Sequence, residues 1–386
     1  MSKTSVGYLY ADIAAHNPSV PAINRSILTS TGFHVHGLDV TRATLRDVRN
    51  LMRDSSVLVV ESSCLLGRNN ASGEPKYRRF RSGADIRIVS AIIDMVWDST
   101  VTLFLLEGNY DIHAPLGFGL SEKEMERIDY LIWPYTTEPV GYFSGSRTAR
   151  YVEPWMQAKI DPVENWRKIS KAVPKQIEYH HSLESTDFDS GSNFTLWDAA
   201  IPGARYVTRA LAASSVRSRG LTLAPYQALD RSLRLGTASI SALSGRVGDS
   251  FRFNLRRLNM RQLMRHSRSV YVCGGGSEYF VRKFLEVPAL GLPMFGYPVE
   301  ALPRLGFCEG EHFVPTLPEE FGELLWKHLS APHSQMNAMA QRSQMLVKRL
   351  HTSNTRARNL LELISVAKDD AFRKAVFVRG SVVPID

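Results

Sequence analysis

The sequence has 386 residues, of which 44% are hydrophobic and 22% are charged, with a formal net charge of +9. This composition is typical of a globular protein and excludes fibrous and largely disordered classes, while the length favours two domains over one. No stretch reaches the roughly eighteen uncharged apolar residues that cross a bilayer, so we expect no signal peptide, no transmembrane segment and a cytoplasmic location.

The three cysteines, Cys64, Cys273 and Cys308, are far apart and lack the spacing of metal ligands. An odd number of separated cysteines predicts neither a disulfide framework nor a zinc site. We therefore expect no bound metal and a reducing compartment.

Positive charge is concentrated in one segment. Between Arg205 and Arg268 the sequence holds thirteen arginines, no lysine and two acidic residues, a net charge of +11 within a chain of +9. Arginine makes planar, bidentate contacts with phosphate and carboxylate groups. The segment indicates either an anionic ligand or partner, or a set of solvated helix faces without that role.

The first third of the chain alternates apolar runs with amphipathic stretches, as successive βαβ units of a parallel sheet do. The predicted strands VGYLYA, FHVHGLD, VLVVESS, VTLFLLEG and DYLIWPY begin at residues 6, 33, 57, 101 and 129. Helices are predicted between them. Both faces of such a sheet are covered, which accounts for strands that are apolar throughout.

Two polar loops follow predicted strands of this half. GRNNASGEPKYRRFRSGAD carries Arg78, Arg79 and Arg81, and EGNYDIHAPLGFG carries Asp111 and His113. Ligands of open α/β sheets bind beyond the carboxyl ends of the strands. Each loop is therefore a candidate for ligand contacts, with surface decoration as the alternative.

An irregular stretch from residue 151 to about 173, with Pro154 and Pro162 and followed by Pro174, predicts the connection between two halves. A second α/β half follows, with predicted strands IEYHHSL from Ile177, LTLAP, SVYVCGG and LPMFGYP. Three helices are predicted at the carboxyl end, from PEEFGELLWKHLS onward.

The stretch CGGGSEYFVRKFLEVPALGLP joins a predicted strand to a predicted helix through a run of glycines. Backbone N–H groups at such a junction attract anions, but the pattern also describes a simple turn. At 3.6 residues per turn, Glu278, Arg282 and Glu286 share one stripe of the helix. The stripe is either two i,i+4 ion pairs on a solvated face or part of a site.

Glu278 and Glu286, with the following Ala289, Gly291 and Pro293, resemble the E-x7-E segment of GT-B glycosyltransferases, particularly the large retaining group 1 class and its CgeB-like branch. The match covers roughly residues 265 to 365. The resemblance implies an α/β chain with two Rossmann-like doubly wound domains facing a cleft, and C-terminal helices that pack back toward the N-terminal domain.

The implied division of the chain has three parts. Residues 1–170 form the acceptor-binding domain, and residues 171–350 form the nucleotide-sugar-binding domain. Residues 351–386 form a helical tail that returns to the first domain.

The resemblance also implies roles for residues of the second domain. Glu286 is similar to the residue that binds the ribose hydroxyls of the donor, since a carboxylate accepts two hydrogen bonds. Glu278 is similar to the residue beside the donor sugar. The implied diphosphate contacts are Gly275, Gly276 and Ser277, with Arg282 or Lys283 neutralising the leaving group.

Other positions depart from the family pattern. Its Arg and Lys pair early in the second domain is not evident, and Arg205 or Arg209 is the candidate substitute. YADIAAHNPS replaces the glycine loop of the first domain and offers Asp12 and His16, one of which is a candidate general base if the enzyme inverts configuration. His113 resembles a histidine that contacts the donor sugar.

The implied activity is transfer of a sugar from a nucleotide-diphosphate sugar, with UDP as the expected nucleotide, to a hydroxyl of a surface glycan, a lipid-linked intermediate or a protein. We expect a retaining, metal-independent enzyme without a tightly bound cofactor. The alternative acceptor is a modified base in DNA, because the Arg78, Arg79 and Arg81 loop and the arginine-rich segment suit a polyanion. Two hypotheses from other functional classes remain. They are a non-hydrolysing sugar-nucleotide epimerase and a non-catalytic nucleotide-binding protein.

Overall fold

A computed structural model describes 16 stretches of the chain, which together contain both halves. The described residues are 5–10, 19–31, 33–40, 42–61, 64, 102–106, 125–133, 171–173, 175–179, 181–189, 194–203, 206–225, 258–274, 280–331, 333–367 and 372–385. Among them, no helix is both long and apolar enough to cross a membrane.

Eleven strands are present in the described residues, in two sheets. They are β1 (Ser5–Tyr10), β2 (His34–Asp39), β3 (Val57–Glu61), β4 (Thr102–Leu106), β5 (Tyr130–Trp133), β6 (Gln176–Glu178), β7 (Val270–Val272), β8 (Met294–Gly296), β9 (Val314–Pro315), β10 (Lys374–Val378) and β11 (Ser381–Ile385).

The α-helices are numbered in the same way. They are α1 (Ser19–Leu28), α2 (Leu45–Arg53), α3 (Val207–Ser218), α4 (258–265, the described part), α5 (Lys283–Ala289), α6 (Ala301–Arg304), α7 (Phe321–Ser330), α8 (His333–Leu350) and α9 (Ser353–Ala367).

The larger sheet has eight strands in the order β11-β10-β6-β5-β4-β3-β1-β2. All neighbouring pairs are parallel except the β10–β11 hairpin. The five residues of β3 are all buried, as expected for a parallel strand covered on both faces. The five strands predicted in the first third of the chain are therefore confirmed.

The strand at Ile177 was placed in the wrong half by the sequence analysis. In the structure, β6 pairs with β5 through Ile132 and Ile177, and with β10 through Ala375 and Ile177. The error arose because the order of strands along the chain does not tell which sheet a strand joins. The hairpin of β10 and β11, which extends this sheet from the carboxyl end, was also missed. The three predicted domain ranges remain predictions.

The smaller sheet has the order β7-β8-β9, with parallel pairing throughout. An isolated parallel bridge between Ala200 and Val270 extends its edge. The core around this sheet contains most of the apolar side chains of α5, including Phe284, Leu285 and Val287, all buried completely. The predicted strand LTLAP is reduced to a bridge between Ala199 and Leu223.

Two chain segments cross between the sheets and pair with each other. Leu183 donates its N–H to the carbonyl of His351 over 3.0 Å, and Ser353 donates to the carbonyl of Leu183 over 2.7 Å. Beyond this crossing, α9 packs on α1 and buries Leu361 and Ile364 in the core of the larger sheet. The predicted return of the C-terminal helices toward the N-terminal domain is confirmed.

Candidate functional site

The described residues of the predicted site come together around α5. They are Arg209, Arg282, Lys283 and Glu286. The remaining predicted residues lie outside the described part of the chain and stay predictions. They are Asp12, His16, Arg78, Arg79, Arg81, Asp111, His113, Arg205, Gly275, Gly276, Ser277 and Glu278.

The α5 helix is short because its ends are set by local chemistry. Pro288 lies inside its last turn, where it offers no N–H and disfavours extension. Gly291 follows with a φ of +67°, a conformation that favours glycine, and its N–H bonds to the carbonyl of Pro288 over 2.8 Å. The A-x-G-x-P part of the motif therefore ends the helix and leads into β8. These residues therefore have a structural role at the end of the helix.

Two residues of the predicted stripe are described, Arg282 and Glu286. The helix begins at Lys283, later than the sequence predicted, so Arg282 is its N-cap residue and Glu286 lies in its first turn. Arg282 is only 6% exposed, and all three sides of its guanidinium are engaged. Nη1 donates to Oε1 of Glu286 over 2.8 Å, and Nη2 donates to Oδ2 of Asp187 over 2.7 Å. Nε donates to the carbonyl of Ser182 over 3.3 Å. The Arg282–Glu286 pair is consequently part of a buried network and does not lie on a solvated face.

Lys283 contacts the second oxygen of the Glu286 carboxylate. Its Nζ lies 3.3 Å from Oε2 of Glu286, so each carboxylate oxygen faces a different cation. Burial lowers the pKa of Lys283, and the nearby charge of Arg209 lowers it further, although Glu286 acts in the opposite direction. Two cations therefore lie close enough to repel each other.

Arg209 is held beside them from α3. Its guanidinium lies 4.7 Å from the ring centre of Tyr206, and Nη2 donates to the carbonyl of Cys273 over 3.4 Å. Gly203, with a φ of +114°, packs directly against this guanidinium and leaves room for it. Arg209 thus sits at the end of β7, where the predicted glycine run begins.

Glu286 also borders a cleft. The cleft lies between α5, α4 and the short 3-10 turn Ser185–Asp187, and its lining includes Asp187, Arg261 and Glu286 with apolar side chains of α4 and α5. Arg261 donates to the carbonyl of Thr186 over 2.7 Å. The Glu286 side chain keeps 11% of its surface exposed. The cleft is small, with a free volume of about 20 Å³, so in this structure it has room for a hydroxyl group or a water but not for a whole nucleotide.

Sequence reasoning missed Asp187, Ser182 and His181. They lie about a hundred residues before α5, and no spacing rule connects positions so far apart. His181 packs near Phe280, with ring centres 6.4 Å apart. Burial, followed by the charge of Arg282, lowers the pKa of His181 to about 3, so the imidazole is neutral at physiological pH.

The carboxyl edge of the larger sheet holds a second acidic feature that was missed. Chain order reverses between β1 and β3, and ligands of open α/β sheets bind at such a switch point. Glu61 ends β3 there and is 1% exposed. Burial raises the pKa of Tyr8 and of the Cys64 thiol, and the Glu61 carboxylate raises both further.

One group of described residues has the atom types of a metal site. Ligand atoms of Cys308, Glu311 and His312 lie within 4.8 Å of one another. However, the N–H of Cys308 donates to Nδ1 of His312 over 3.0 Å. The neutral ring then carries its proton on Nε2, so this placement offers no imidazole lone pair to an ion. The prediction that no metal is bound stays a prediction.

Two solved structures with a similar architecture are alpha-glucosyltransferases. The alpha-glucosyltransferase in complex with UDP-glucose and DNA containing an abasic site is 10% identical, with a TM-score of 0.56 over 94% of this chain and 100% of that chain. The alpha-glucosyltransferase (AGT) in complex with UDP is 9% identical, with a TM-score of 0.50 over 94% of this chain and 100% of that chain. No protein-family model matches the sequence, and no curated protein matches it.

At these identities the likeness establishes the fold. The chain has the two-domain α/β architecture of the GT-B fold, as the resemblance of the Glu278–Pro293 segment implied. Its assignment to the CgeB-like branch stays a prediction.

Proposed function

We propose that this chain is a glycosyltransferase that moves a sugar from a nucleotide-diphosphate sugar, with UDP as the nucleotide, to a hydroxyl group of an acceptor. One observation carries the proposal. In a fold shared with two UDP-bound glucosyltransferases, Glu286 borders a cleft and is oriented by Arg282 and Lys283.

Glu286 is proposed to bind the ribose hydroxyls of the donor. Arg282 and Lys283 each contact one of its oxygens. A carboxylate accepts hydrogen bonds at both oxygens, which is the chemistry that ribose hydroxyls require. Because the carboxylate is already oriented, little side-chain entropy is lost when the donor binds.

The diphosphate is proposed to lie beside Lys283 and Arg209. The described part of the site has three cations, Arg209, Arg282 and Lys283, and two carboxylates, Asp187 and Glu286. A diphosphate would relieve the repulsion between Lys283 and Arg209 and form charge-assisted hydrogen bonds. Because Arg282 is engaged by Asp187 and Glu286, Lys283 is the better candidate of the two residues predicted to neutralise the leaving group.

Catalysis is proposed to rest on positioning and on stabilisation of the departing diphosphate. The protein cations supply this charge, which fits a metal-independent reaction without a bound cofactor. Glu278 beside the donor sugar, with retention of configuration, and Gly275, Gly276 and Ser277 beside the diphosphate complete the proposal on the donor side.

The acceptor is proposed to bind at the carboxyl edge of the larger sheet. A surface glycan, a lipid-linked intermediate and a protein are the candidate acceptors, and a cytoplasmic location is part of the proposal. Asp12 and His16 are the proposed candidates for a general base and Asp111 is a proposed acceptor contact, whereas His113 is proposed to contact the donor sugar. Glu61 adds a described carboxylate at the same edge.

DNA is the second candidate acceptor. The observation that favours it is the solved structure of the same fold that contains DNA with an abasic site. This hypothesis predicts binding of duplex DNA that weakens steeply with salt, because each phosphate contact releases counterions. Replacement of Arg78, Arg79 and Arg81 by alanine should reduce that binding. Equal binding by the triple variant, or no binding of wild-type protein at low salt, would favour the glycan, lipid or protein acceptor.

The proposed function is tested by thermal unfolding with a panel of nucleotide sugars, followed by mass spectrometry of candidate acceptors with the donor that stabilises. A donor at a hundred times its Kd adds about 2.7 kcal/mol to the free energy of unfolding. We expect a UDP-sugar to stabilise the wild type and not the Glu286→Gln variant. Glu362→Gln, which makes the same change at an exposed site on α9, is the control. No stabilisation by any nucleotide sugar would contradict the proposal.

A further inference from the structure

Arg282 joins the donor-side carboxylate to the segment on which the chain crosses between the sheets. Its Nη1 contacts Glu286 on α5, while its Nη2 and Nε contact Asp187 and Ser182 on that segment. Arg282 and Asp187 are both buried, with side chains 7% exposed. A guanidinium held at both ends by carboxylates has a single orientation, because its donors form a rigid, planar fork.

The crossing segment is itself firmly attached. Ser182 is completely buried, and its hydroxyl lies 3.0 Å from that of Ser353 at the start of α9. Oδ2 of Asp187 also accepts the N–H of Glu184 over 2.9 Å, which fixes the carboxylate within its 3-10 turn. Asp187 therefore offers Arg282 a rigid support.

Ion pairs also join the segment to a helix beside each of the two sheets. Glu184 pairs with Arg25 on α1 beside the larger sheet, and Asp189 pairs with Arg265 on α4 over 3.2 Å. A shift of this segment would move Asp187, and with it the guanidinium that orients Glu286.

We propose that Arg282 and Asp187 are positioning residues for the donor nucleotide, which present the Glu286 carboxylate to the ribose and link its orientation to the crossing segment. This inference rests on the proposed function. It departs from the role that the family resemblance implied for Arg282, because the guanidinium supports a carboxylate and does not contact the diphosphate. Asp187 also lines the cleft, and in this proposal it acts on the nucleotide through Arg282 and Glu286.

The test is a double-mutant cycle with Asp187→Asn and Glu286→Gln, using UDP as the probe in isothermal titration calorimetry of the full chain. Asp187→Asn keeps the shape of the side chain but removes its charge. We expect it to weaken UDP binding roughly 5- to 50-fold, the range of coupling within one hydrogen-bond network. In the Glu286→Gln background the same change should have less than about a twofold effect, because the carboxylate through which it acts is gone.

Two further variants separate positioning from general damage. Arg282→Lys retains the charge without the fork, so it should bind UDP more tightly than Arg282→Gln and more weakly than the wild type. Glu184→Gln removes the Arg25 ion pair from the same segment and should leave UDP affinity within about twofold. Losses from Asp187→Asn that are equal in both backgrounds would overturn the proposal, as would an unchanged UDP affinity.

The same cycle is measured on the free energy of unfolding in urea without ligand. Non-additive losses are expected there as well, since both carboxylates share one guanidinium. Absence of UDP binding by the wild type would contradict the proposed function, and additive unfolding energies would contradict the Arg282 link itself. If the wild type binds UDP and Asp187→Asn binds it with the same affinity, only the positioning role is overturned.

Discussion

Two buried arginine–carboxylate clusters in this molecule have opposite surroundings. The donor-side cluster consists of Asp187, Arg282, Lys283 and Glu286. The junction cluster consists of Glu178 on β6 and Arg304 on α6, whose guanidinium bonds to both carboxylate oxygens over 2.6 and 2.7 Å.

The carboxylate of the junction cluster is enclosed by protein, while the side chain of Arg304 is 25% exposed. Glu178 is completely buried, and its Oε2 also accepts the N–H of Phe377 over 2.8 Å. Nearby, Arg356 stacks on the ring of Phe377 and contacts His351, whose Nε2 bonds to the carbonyl of Leu305. These contacts join a helix beside the smaller sheet to two strands of the larger one.

The donor-side cluster is open on one side. Glu286 borders a cleft, and Arg209 adds a further positive charge near Lys283, whereas Glu178 faces protein groups that satisfy it. Burial of an ion pair therefore does not by itself mark a site. A candidate ligand site is indicated when the carboxylate of a buried ion pair also borders a cleft and an additional positive charge lies nearby.

The largest expected effect is on stability, at the junction cluster. Glu178→Ala should lower the free energy of unfolding by roughly 3 to 5 kcal/mol, because it leaves the charge of Arg304 partly buried without its partner. Urea unfolding measures this loss. UDP affinity of the folded protein should stay within about twofold of the wild type. A small loss of stability would contradict the interpretation that the Glu178–Arg304 pair stabilises the fold.

The next effect is on phosphate recognition, at the donor-side cluster. Lys283→Met keeps most of the buried stem and removes the charge. It should weaken UDP binding roughly 10- to 100-fold, since a hydrogen bond to a charged group contributes about 1.5 to 3 kcal/mol. Uridine, which lacks phosphate, should lose less affinity than UDP does in calorimetry, and its remaining loss reflects the contact of Lys283 with Glu286. Equal losses for UDP and uridine would show that Lys283 does not contact the phosphates.

A smaller effect concerns pH and His181. Its pKa of about 3 lies below the ordinary value of 6.5, so the unfolded chain binds a proton that the folded chain does not as pH falls. Stability is therefore full above about pH 6.5 and declines toward pH 3. Between pH 6.5 and 5 the loss from this group is on the order of 1 to 2 kcal/mol. His181→Phe should have a flatter profile of unfolding free energy against pH, and an unchanged profile would contradict the assignment.

The smallest effect is expected at an exposed pair on the crossing segment. Arg25 is 61% exposed, so its ion pair with Glu184 is screened by water. Glu184→Gln should lower the free energy of unfolding by less than about 1 kcal/mol. Chemical denaturation checks this value. A loss as large as that of Glu178→Ala would mean that the crossing segment is held chiefly by its exposed contact.

The sequence predicted local features of the site well and distant ones poorly. The helical stripe with Arg282 and Glu286 follows from a spacing of four residues, and the apolar runs of β1, β3 and β5 mark strands directly. The contact of Asp187 with Arg282 could not be predicted, because Asp187 lies in a turn nearly a hundred residues earlier in the chain. β6 was assigned to the wrong sheet for the same reason, since strand pairing is a tertiary property.

The central claim is that Glu286, and not the completely buried Glu178, binds the donor nucleotide. The most direct test is calorimetric titration of UDP-glucose into the wild type, Glu286→Gln and Glu178→Gln, each checked for folding. The account predicts that Glu286→Gln weakens binding roughly 30-fold or more, from the loss of charged hydrogen-bond acceptors, while Glu178→Gln binds as the wild type does. Wild-type affinity in Glu286→Gln, or an equal loss in both variants, would contradict it.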